Sequence, residues 1–411
     1  MHRRDFMQTM ALRASGLLLP GAQAWAASNP DPAAGKRKLI VIMLRGAADG
    51  LAIVAPYGDP NYYRLRPTIG VARPGQEAGL IDLDGYFGLH PALRPLQELW
   101  EQKRLAFVHA CGSPDTTRSH FDAQDYLESG TPGHKTTPDG WMNRLLATIP
   151  GPVVPTRAIS IGPVMPRILA GRISAINIAS GAAATRPTLL DRPQVGSAFD
   201  QLYQGNDKYG SIYREAQSAH KDMMSAMASE SQMADGGAPL PNGFPDDAAR
   251  LATLFRNDAR MQFAFVALGG WDTHANQGAG TGQLASRLAP LGQGLAALAQ
   301  RLGPLFEETT IVVMSEFGRT VRQNGNGGTD HGHGNVMWVL GGTVAGGKVI
   351  GQWQGLDETA LYEGRDVPVT TDFRSVLAQI TERHLRLSDK QLQQVFPGLP
   401  EGGSVTGLIR G

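Results

Sequence analysis

Leu39-Ile40-Val41-Ile42-Met43-Leu44-Arg45-Gly46-Ala47-Ala48-Asp49-Gly50 is the stretch on which the fold turns. Six apolar residues without polar alternation, several of them β-branched, form the pattern of a strand buried on both faces of a parallel sheet. The run stops abruptly in a polar, glycine-flanked turn. The same pattern recurs along the chain. Leu105–Ala110 leads into Asp115-Thr116-Thr117-Arg118-Ser119-His120-Phe121-Asp122, and Met261–Leu268 leads into Gly269-Gly270-Trp271-Asp272-Thr273-His274. Thr310–Met314 leads into Ser315-Glu316-Phe317-Gly318-Arg319, with Gly328-Thr329-Asp330-His331-Gly332-His333-Gly334 soon after. Ala158–Ile161 and Val336–Leu340 are further strand candidates.

Amphipathic helices separate these runs. Leu93, Leu96, Leu99 and Trp100 mark one helical face, and Leu284, Leu288, Leu291, Leu295 and Leu298 another. The tail from Asp372 to Phe396 reads as two helices, N-capped by Asp372 and Ser388. Alternating elements of this kind predict an α/β fold, a doubly wound, mostly parallel sheet sandwiched by helices, over residues 39–411. Residues 181–245 are rich in Ala, Gly, Ser, Met and Pro, lack strand signals, and read as a helical or irregular insertion into that single domain.

Hydrophobic residues make up 42% of the chain and charged residues 18%, which excludes a mostly disordered protein. Formal net charge is +1 over all 411 residues; residues 1–26 carry three Arg and one Asp, so removing that +2 leaves −1. Near-neutrality gives no electrostatic basis for nucleic-acid binding. The single cysteine, Cys111, allows neither an internal disulfide nor a thiolate metal cage. A metal in this chain must be held by oxygen and imidazole.

Residues 1–26 read as an export signal. Arg3-Arg4-Asp5-Phe6-Met7 is a twin-arginine pair followed by bulky apolar residues, and Ala24-Trp25-Ala26 is a small-residue cleavage pattern, placing the cut near Ala24–Ala27. Arg13, Gly16 and Pro20 leave the apolar stretch too short and broken to span a bilayer. A polar linker, 27–38, follows. The expected location is periplasmic, reached through the twin-arginine translocase, with no stable membrane anchor.

In open α/β sheets ligands bind beyond the carboxyl ends of the strands, so the four polar clusters are expected to converge. Four of the ten histidines, His120, His274, His331 and His333, fall inside them. Of the rest, His2 lies in the signal, His90 and His134 in turns, and His109 inside a strand as a satisfied core residue. His220 and His384 read as residues on solvated helical faces. Asp272 and His274 alternate along an extended segment and are candidate metal ligands, or else a capping Asp and a surface His. Asp330, His331 and His333 share a glycine-rich loop from which side chains can fan toward a cation. Asp49 is a ligand or an Asx-turn residue, and Glu316 a ligand or a partner for Arg319. Carboxylates with imidazoles favour zinc, manganese or iron, and there are enough groups for one or two divalent ions.

The twin-arginine start, Leu44-Arg45-Gly46-Ala47-Ala48-Asp49-Gly50-Leu51, Ser119-His120-Phe121-Asp122-Ala123-Gln124 and Ser315-Glu316-Phe317-Gly318-Arg319-Thr320 together resemble the exported family catalogued as domain of unknown function 1501. That family is similar to the alkaline phosphatase and sulfatase superfamily, so the resemblance implies an alkaline-phosphatase-like fold and the position of a site, without a substrate. Carried over by position, it implies Asp49, Asp272, His274, Glu316 and His331 or His333 as metal ligands and Ser119 as nucleophile, with Thr116 and Thr117 as alternatives. Glu316-Phe317 departs from the superfamily's Asp-His pair, Asp272 and His274 stand closer together than usual, and the residues after Ser119 lack the sulfatase pattern. The expectation is a metal-dependent hydrolase or transferase of phosphate-type, less so sulfate-type, esters. Ser119, Arg118 and His120 are its catalytic candidates, and Arg45 and Arg319 would bind a small anionic substrate. The alternative is a non-catalytic envelope protein that keeps the fold and binds a ligand.

Overall fold

The computed structural model describes residues 36–151, 154–180, 234–400 and 405–410. The signal, most of the linker, His220 and residues 181–233 of the expected insertion lie outside the described residues.

Each apolar run of the sequence becomes a strand of one sheet. In chain order these are β1 (Lys38–Leu44), β2 (Leu105–Gly112), β3 (Ala158–Ile161), β4 (Ile176–Ile178), β5 (Phe263–Leu268), β6 (Thr309–Ser315), β7 (Asn335–Gly341), β8 (Lys348–Ile350) and β9 (Thr371–Asp372). Their order across the sheet is β8-β2-β7-β6-β1-β5-β3-β4, with β9 beside β8 on the β2 edge. All neighbours are parallel except those of β7, which runs against β2 and β6. The chain leaves β6 and returns in β7 through residues 316–334 without a crossover helix, so β7 has to run antiparallel. The fold is a mixed, mostly parallel sheet flanked by helices.

Burial on both faces explains the missing polar alternation. Ile40 and Ile42 pack against Phe244, Leu251 and Phe255 of α3 (Phe244–Asn257) and the Leu284–Leu298 stripe of α4 (Gln283–Leu302). Leu39, Val41 and Met43 face the opposite layer, built by α2 (Trp141–Thr148), α5 (Phe373–Arg383) and α6 (Asp389–Val395). Asp372 caps α5, accepting from the Arg374 N–H at 2.9 Å, and Gln391 of α6 reaches back to the Ser388 N–H at 2.9 Å. Leu93–Trp100 is shorter in helix than its stripe suggests. Pro91–Leu96 is a 3-10 turn, and the α-helix covers Gln97–Glu101.

His384 corrects an expectation. It follows α5 directly, but is buried rather than solvated, with Nε2 on the Lys38 carbonyl at 3.0 Å and Nδ1 on Thr343 Oγ1 at 3.2 Å. His109 is a satisfied core residue, 2.9 Å from the Val54 carbonyl. Among the described residues, no helix is long and apolar enough to cross a membrane.

Candidate metal centre

The carboxyl ends of β1, β2, β5 and β6, together with the start of the antiparallel β7, bring the polar segments to one edge. Close packing there is enforced by glycine. Gly46 sits at φ +112°, and a Cβ on it would lie 2.7 Å from the Asp272 backbone nitrogen. A Cβ on Gly328 would lie 2.4 Å from the His274 carbonyl carbon. No other residue lets these loops approach so closely.

His120 opens helix α1 (His120–Ser129), Asp272 and His274 follow β5, and His331 precedes β7. The Nε2 atom of His331 lies 2.9 Å from that of His120 and 3.0 Å from that of His274. Asp272 Oδ1 lies 2.9, 3.4 and 3.8 Å from Nε2 of His274, His331 and His120 respectively. Ligand atoms of His120, Asp272 and His331 all fall within 4.8 Å of one another, a group suited to a metal ion.

The far side of each ring fixes its tautomer. His120 Nδ1 is 2.8 Å from Glu316 Oε1, His274 Nδ1 is 3.3 Å from Asp330 Oδ1, and His331 Nδ1 is 3.1 Å from the Arg118 carbonyl oxygen. Those oxygens only accept, so each Nδ1 carries the hydrogen, and a ring without a second proton turns a bare Nε2 lone pair inward. Three lone pairs and a carboxylate oxygen repel one another unless a cation stands between them. With metal–nitrogen bonds of about 2.0–2.1 Å, ligand atoms around one ion are separated by roughly 2.9–3.4 Å; four of the five distances above fall in that range, and His120 to Asp272, at 3.8 Å, lies beyond it. An oxygen behind each ligating imidazole is also the usual outer shell of such sites.

The electrostatics agree. Burial works against charge on Asp272, but His120, His331 and Arg319 outweigh it and hold its carboxyl well below the usual range. Burial likewise opposes charge on His120, yet Asp272 and Glu316 raise it to about 9. Glu316 is buried but held ionised by His120 and Gln124, whose Nε2 donates to Oε1 at 3.0 Å. Burial, helped by the charges of Glu316 and Asp272, lifts nearby Asp235 to about 6; its Oδ1 accepts from the Gly270 N–H at 2.7 Å. In the absence of an ion, a proton on His120 fills the centre.

Several expected residues lie elsewhere. Asp49 is fully buried in an ion pair with Arg66, at 2.5 Å and 3.1 Å, and Gln277 Nε2 donates to its Oδ2 at 2.7 Å; with both oxygens occupied it is not placed to ligate. His333 points away, its ring 4.8 Å from that of Tyr362. Glu316 lies behind His120, and Asp330, with its side chain mostly exposed, behind His274. Arg319 is a buried clamp, bonded to Asp272 and to the Gly46, Ala47 and Thr329 carbonyls. Arg45 pairs with Glu128 at 2.5 Å, and Arg118 with Glu363 and Asp366 at 2.7 and 2.8 Å. Each of these guanidiniums already faces a carboxylate, although the Nε atoms of Arg45 and Arg118 have no hydrogen-bond partner. Ser119 is the exposed N-cap of α1, its Oγ accepting from the Asp122 N–H at 3.4 Å, and no hydrogen bond among the described residues joins that Oγ to the imidazole group. Thr116 is exposed, and Thr117 Oγ1 accepts from the Ser119 N–H at 3.2 Å.

Sequence reasoning overlooked Gln124, Gln277 and Arg287. Arg287 of α4 has a buried Nε without a hydrogen-bond partner, lies against Gly270, and makes no ion pair among the described residues. A single glutamine or arginine, whether on a helix like Gln124 and Arg287 or in a loop like Gln277, carries no sequence signal of its own; only the sheet edge reveals it.

A family model described as protein of unknown function (DUF1501) matches residues 36–396. No curated protein matches the chain. Among solved structures it is similar to Ps i-CgsB, at 11% identity over 87% of this chain and 74% of that one, with a TM-score of 0.42. It is also similar to the PsFucS1 sulfatase from Pseudoalteromonas sp., at 12% identity over 92% and 74%, TM-score 0.38. The phosphonate monoester hydrolase of Agrobacterium radiobacter follows at 10% identity over 89% and 78%, TM-score 0.39. These likenesses are remote, and the chemistry rests on the side chains described above.

Proposed function

The chain belongs to the DUF1501 family, and we propose that it is a metal-dependent hydrolase of phosphate-type, less so sulfate-type, esters. The observation that carries this is the convergence of the His120, His274 and His331 Nε2 atoms on Asp272, with an oxygen acceptor behind every ring. Three imidazoles and a carboxylate suit zinc first, then manganese or iron, as a single ion.

A divalent ion held there supplies Lewis acidity, polarising an ester oxygen and acidifying water toward neutral pH. The chain's own residues do the rest. Glu316, Asp330 and the Arg118 carbonyl hold the rings in the Nε2-ligating tautomer, and Arg319 keeps Asp272 ionised and fixed. The first turn of α1 offers backbone N–H groups and a helix dipole to an anionic group beside His120. Arg287, which makes no ion pair among the described residues, adds a positive charge beside Gly270, within electrostatic reach of Asp235. Water, rather than Ser119, is the nucleophile this arrangement favours, because the Ser119 hydroxyl is engaged as a cap.

The twin-arginine pattern supports a periplasmic protein delivered folded by the twin-arginine translocase, with signal 1–26, linker 27–38 and one domain over 39–411. The end of the insertion expected at about 181–245 borders the site, where Ala234 and Gly236 accept hydrogen bonds from Gln124 and Arg45.

The test is elemental analysis of protein purified after native export, followed by turnover of aryl phosphate, phosphodiester and sulfate esters. Near-stoichiometric metal and hydrolysis lost in both His331→Ala and Asp272→Ala are expected. Metal without any hydrolysis would favour the non-catalytic envelope protein, and absence of metal would end the enzyme reading.

A further inference from the structure

We infer that Asp49, working through Gln277, is the positioning unit that sets the spacing of the metal-binding loops. The inference rests on the metal-centre reading above and adds residues that touch none of the proposed ligands' coordinating atoms.

Asp49 follows β1 as the N-cap of a short buried helix, Gly50–Ile53. Its carboxylate is saturated by nitrogen donors, with Arg66 on both oxygens and Gln277 Nε2 on Oδ2 at 2.7 Å. A carboxylate only accepts, so the Gln277 amide must present its NH₂ to Asp49 and its oxygen to the other side. There the oxygen accepts from Thr273 Oγ1 at 2.7 Å and Thr329 Oγ1 at 3.3 Å. Thr273 stands between the proposed ligands Asp272 and His274, and Thr329 is two residues before His331. Asp49, Gln277, Thr273 and Thr329 are all fully buried.

One amide therefore ties the loop after β5 to the loop before β7, and one carboxylate orients the amide. Backbone bonds reinforce the same junction, from Thr329 N–H to the Thr273 carbonyl at 3.1 Å and from Gln277 N–H to the Gly327 carbonyl at 2.9 Å. Arg66 completes the hub by donating to the Thr320 and Val321 carbonyls. Thr320 in turn receives the Asp330 N–H on its Oγ1 at 3.1 Å. The His274–His331 separation of 3.0 Å is thus set from below by a buried polar chain.

Glutamine is the side chain this junction requires. A glutamate at 277 would set a second buried carboxylate against Asp49, and an alanine would leave Asp49 short of a donor and both threonine hydroxyls short of an acceptor. Outer-shell residues of metal sites cost about 10–100-fold in metal affinity when removed.

The experiment is Co²⁺ titration of the full chain, with chelator competition for affinity and the visible absorption spectrum for ligand geometry. It compares wild type with Thr273→Val, Thr273→Ser, Gln277→Ala and Gln277→Glu. Thr273→Val and both Gln277 variants are expected to bind about 10–100-fold more weakly with an altered spectrum, while Thr273→Ser, which keeps the hydroxyl, stays near wild type. A purely structural role would lower the unfolding midpoint yet leave affinity and spectrum unchanged well below it, and that result in Thr273→Val overturns the inference even if the Gln277 variants fail to fold. Wild-type protein that binds no Co²⁺ removes the metal centre and the relay together; wild-type binding with indifferent variants removes the relay alone.

Discussion

His120 and His331 meet through their Nε2 atoms at 2.9 Å, while the Nδ1 of each ring is committed to an oxygen on its far side. Two bare lone pairs would repel across that gap; a proton on His120 bridges it when no ion is bound, and a shared metal cation would replace that proton. Deleting either ring should therefore remove more than one ligand's share of affinity. His331→Ala, which also frees His274, is expected to lose at least about 100-fold in zinc affinity. Competition against a chromophoric chelator measures it. Undiminished binding by His331→Ala would show that the rings do not share an ion.

Ser119→Ala separates two mechanisms. As the cap of α1 the hydroxyl is worth about 1 kcal/mol of stability, so the variant should melt slightly earlier. Its turnover of whichever ester the wild type cleaves should stay within a few-fold. A loss of about 1,000-fold or more, at unchanged metal content, would instead make Ser119 the nucleophile that the superfamily resemblance implies.

The parts of the sequence that are easy to read share one physical trait, which is that a single segment suffices to specify them. Leu39–Leu44 can only be buried on both faces, and four polar turns after such runs must meet at one sheet edge. Asp272, His274 and His331 follow from that placement. What the sequence leaves open is decided between segments. Asp49 stands where the family resemblance implies a ligand, yet Arg66 and Gln277 reach it from 17 and 228 residues away and claim both oxygens. Arg45 and Arg319 look like anion binders until Glu128 and Asp272 are brought against them. His384 reads as solvated because the Lys38 carbonyl that satisfies it lies 346 residues earlier. The direction of β7 depends on the absence of a crossover helix, which a run of apolar residues does not encode.

Arg66→Met tests the cost of the buried ion pair. Neither Arg66 nor Asp49 has any exposed side-chain surface, so removing the guanidinium leaves an uncompensated carboxylate in the core. A loss of about 3–5 kcal/mol in unfolding free energy is expected, read from urea denaturation. A loss under about 1 kcal/mol would mean that Asp49 is protonated or finds another donor.

Arg287→Ala addresses the substrate's charge. Its guanidinium lies against Gly270, where an added Cβ would come within 3.0 Å of Nε. If it receives the anionic group, the variant should raise KM about 10-fold or more while metal content and kcat change little. An unchanged KM for an anionic ester in Arg287→Ala would discharge the residue from substrate binding.

Three histidines away from the metal centre set the acid limit of stability. His90, His109 and His384 are buried with Nε2 on the carbonyls of Ala279, Val54 and Lys38. Burial dominates over those carbonyls and presses all three from the ordinary 6.5 down to about 4. The unfolded chain thus takes up protons near pH 6.5, while the folded chain resists them until about 4. The stabilisation is fully present above pH 6.5 and is lost as pH falls through about 4, each histidine contributing on the order of 3 kcal/mol. That is comparable in sum to the whole stability of a typical domain, about 5–15 kcal/mol. Urea midpoints measured in chelator, so that ion release does not contribute, should rise modestly from pH 8 to 7, where folded His120, raised to about 9, holds a proton that the unfolded chain lacks, and fall steeply between pH 6 and 4. His109→Gln, which cannot titrate, should be less stable at pH 7 but show a shallower decline. A flat midpoint across pH 6 to 4, or a wild-type slope in His109→Gln, would show that these rings are not what acid attacks.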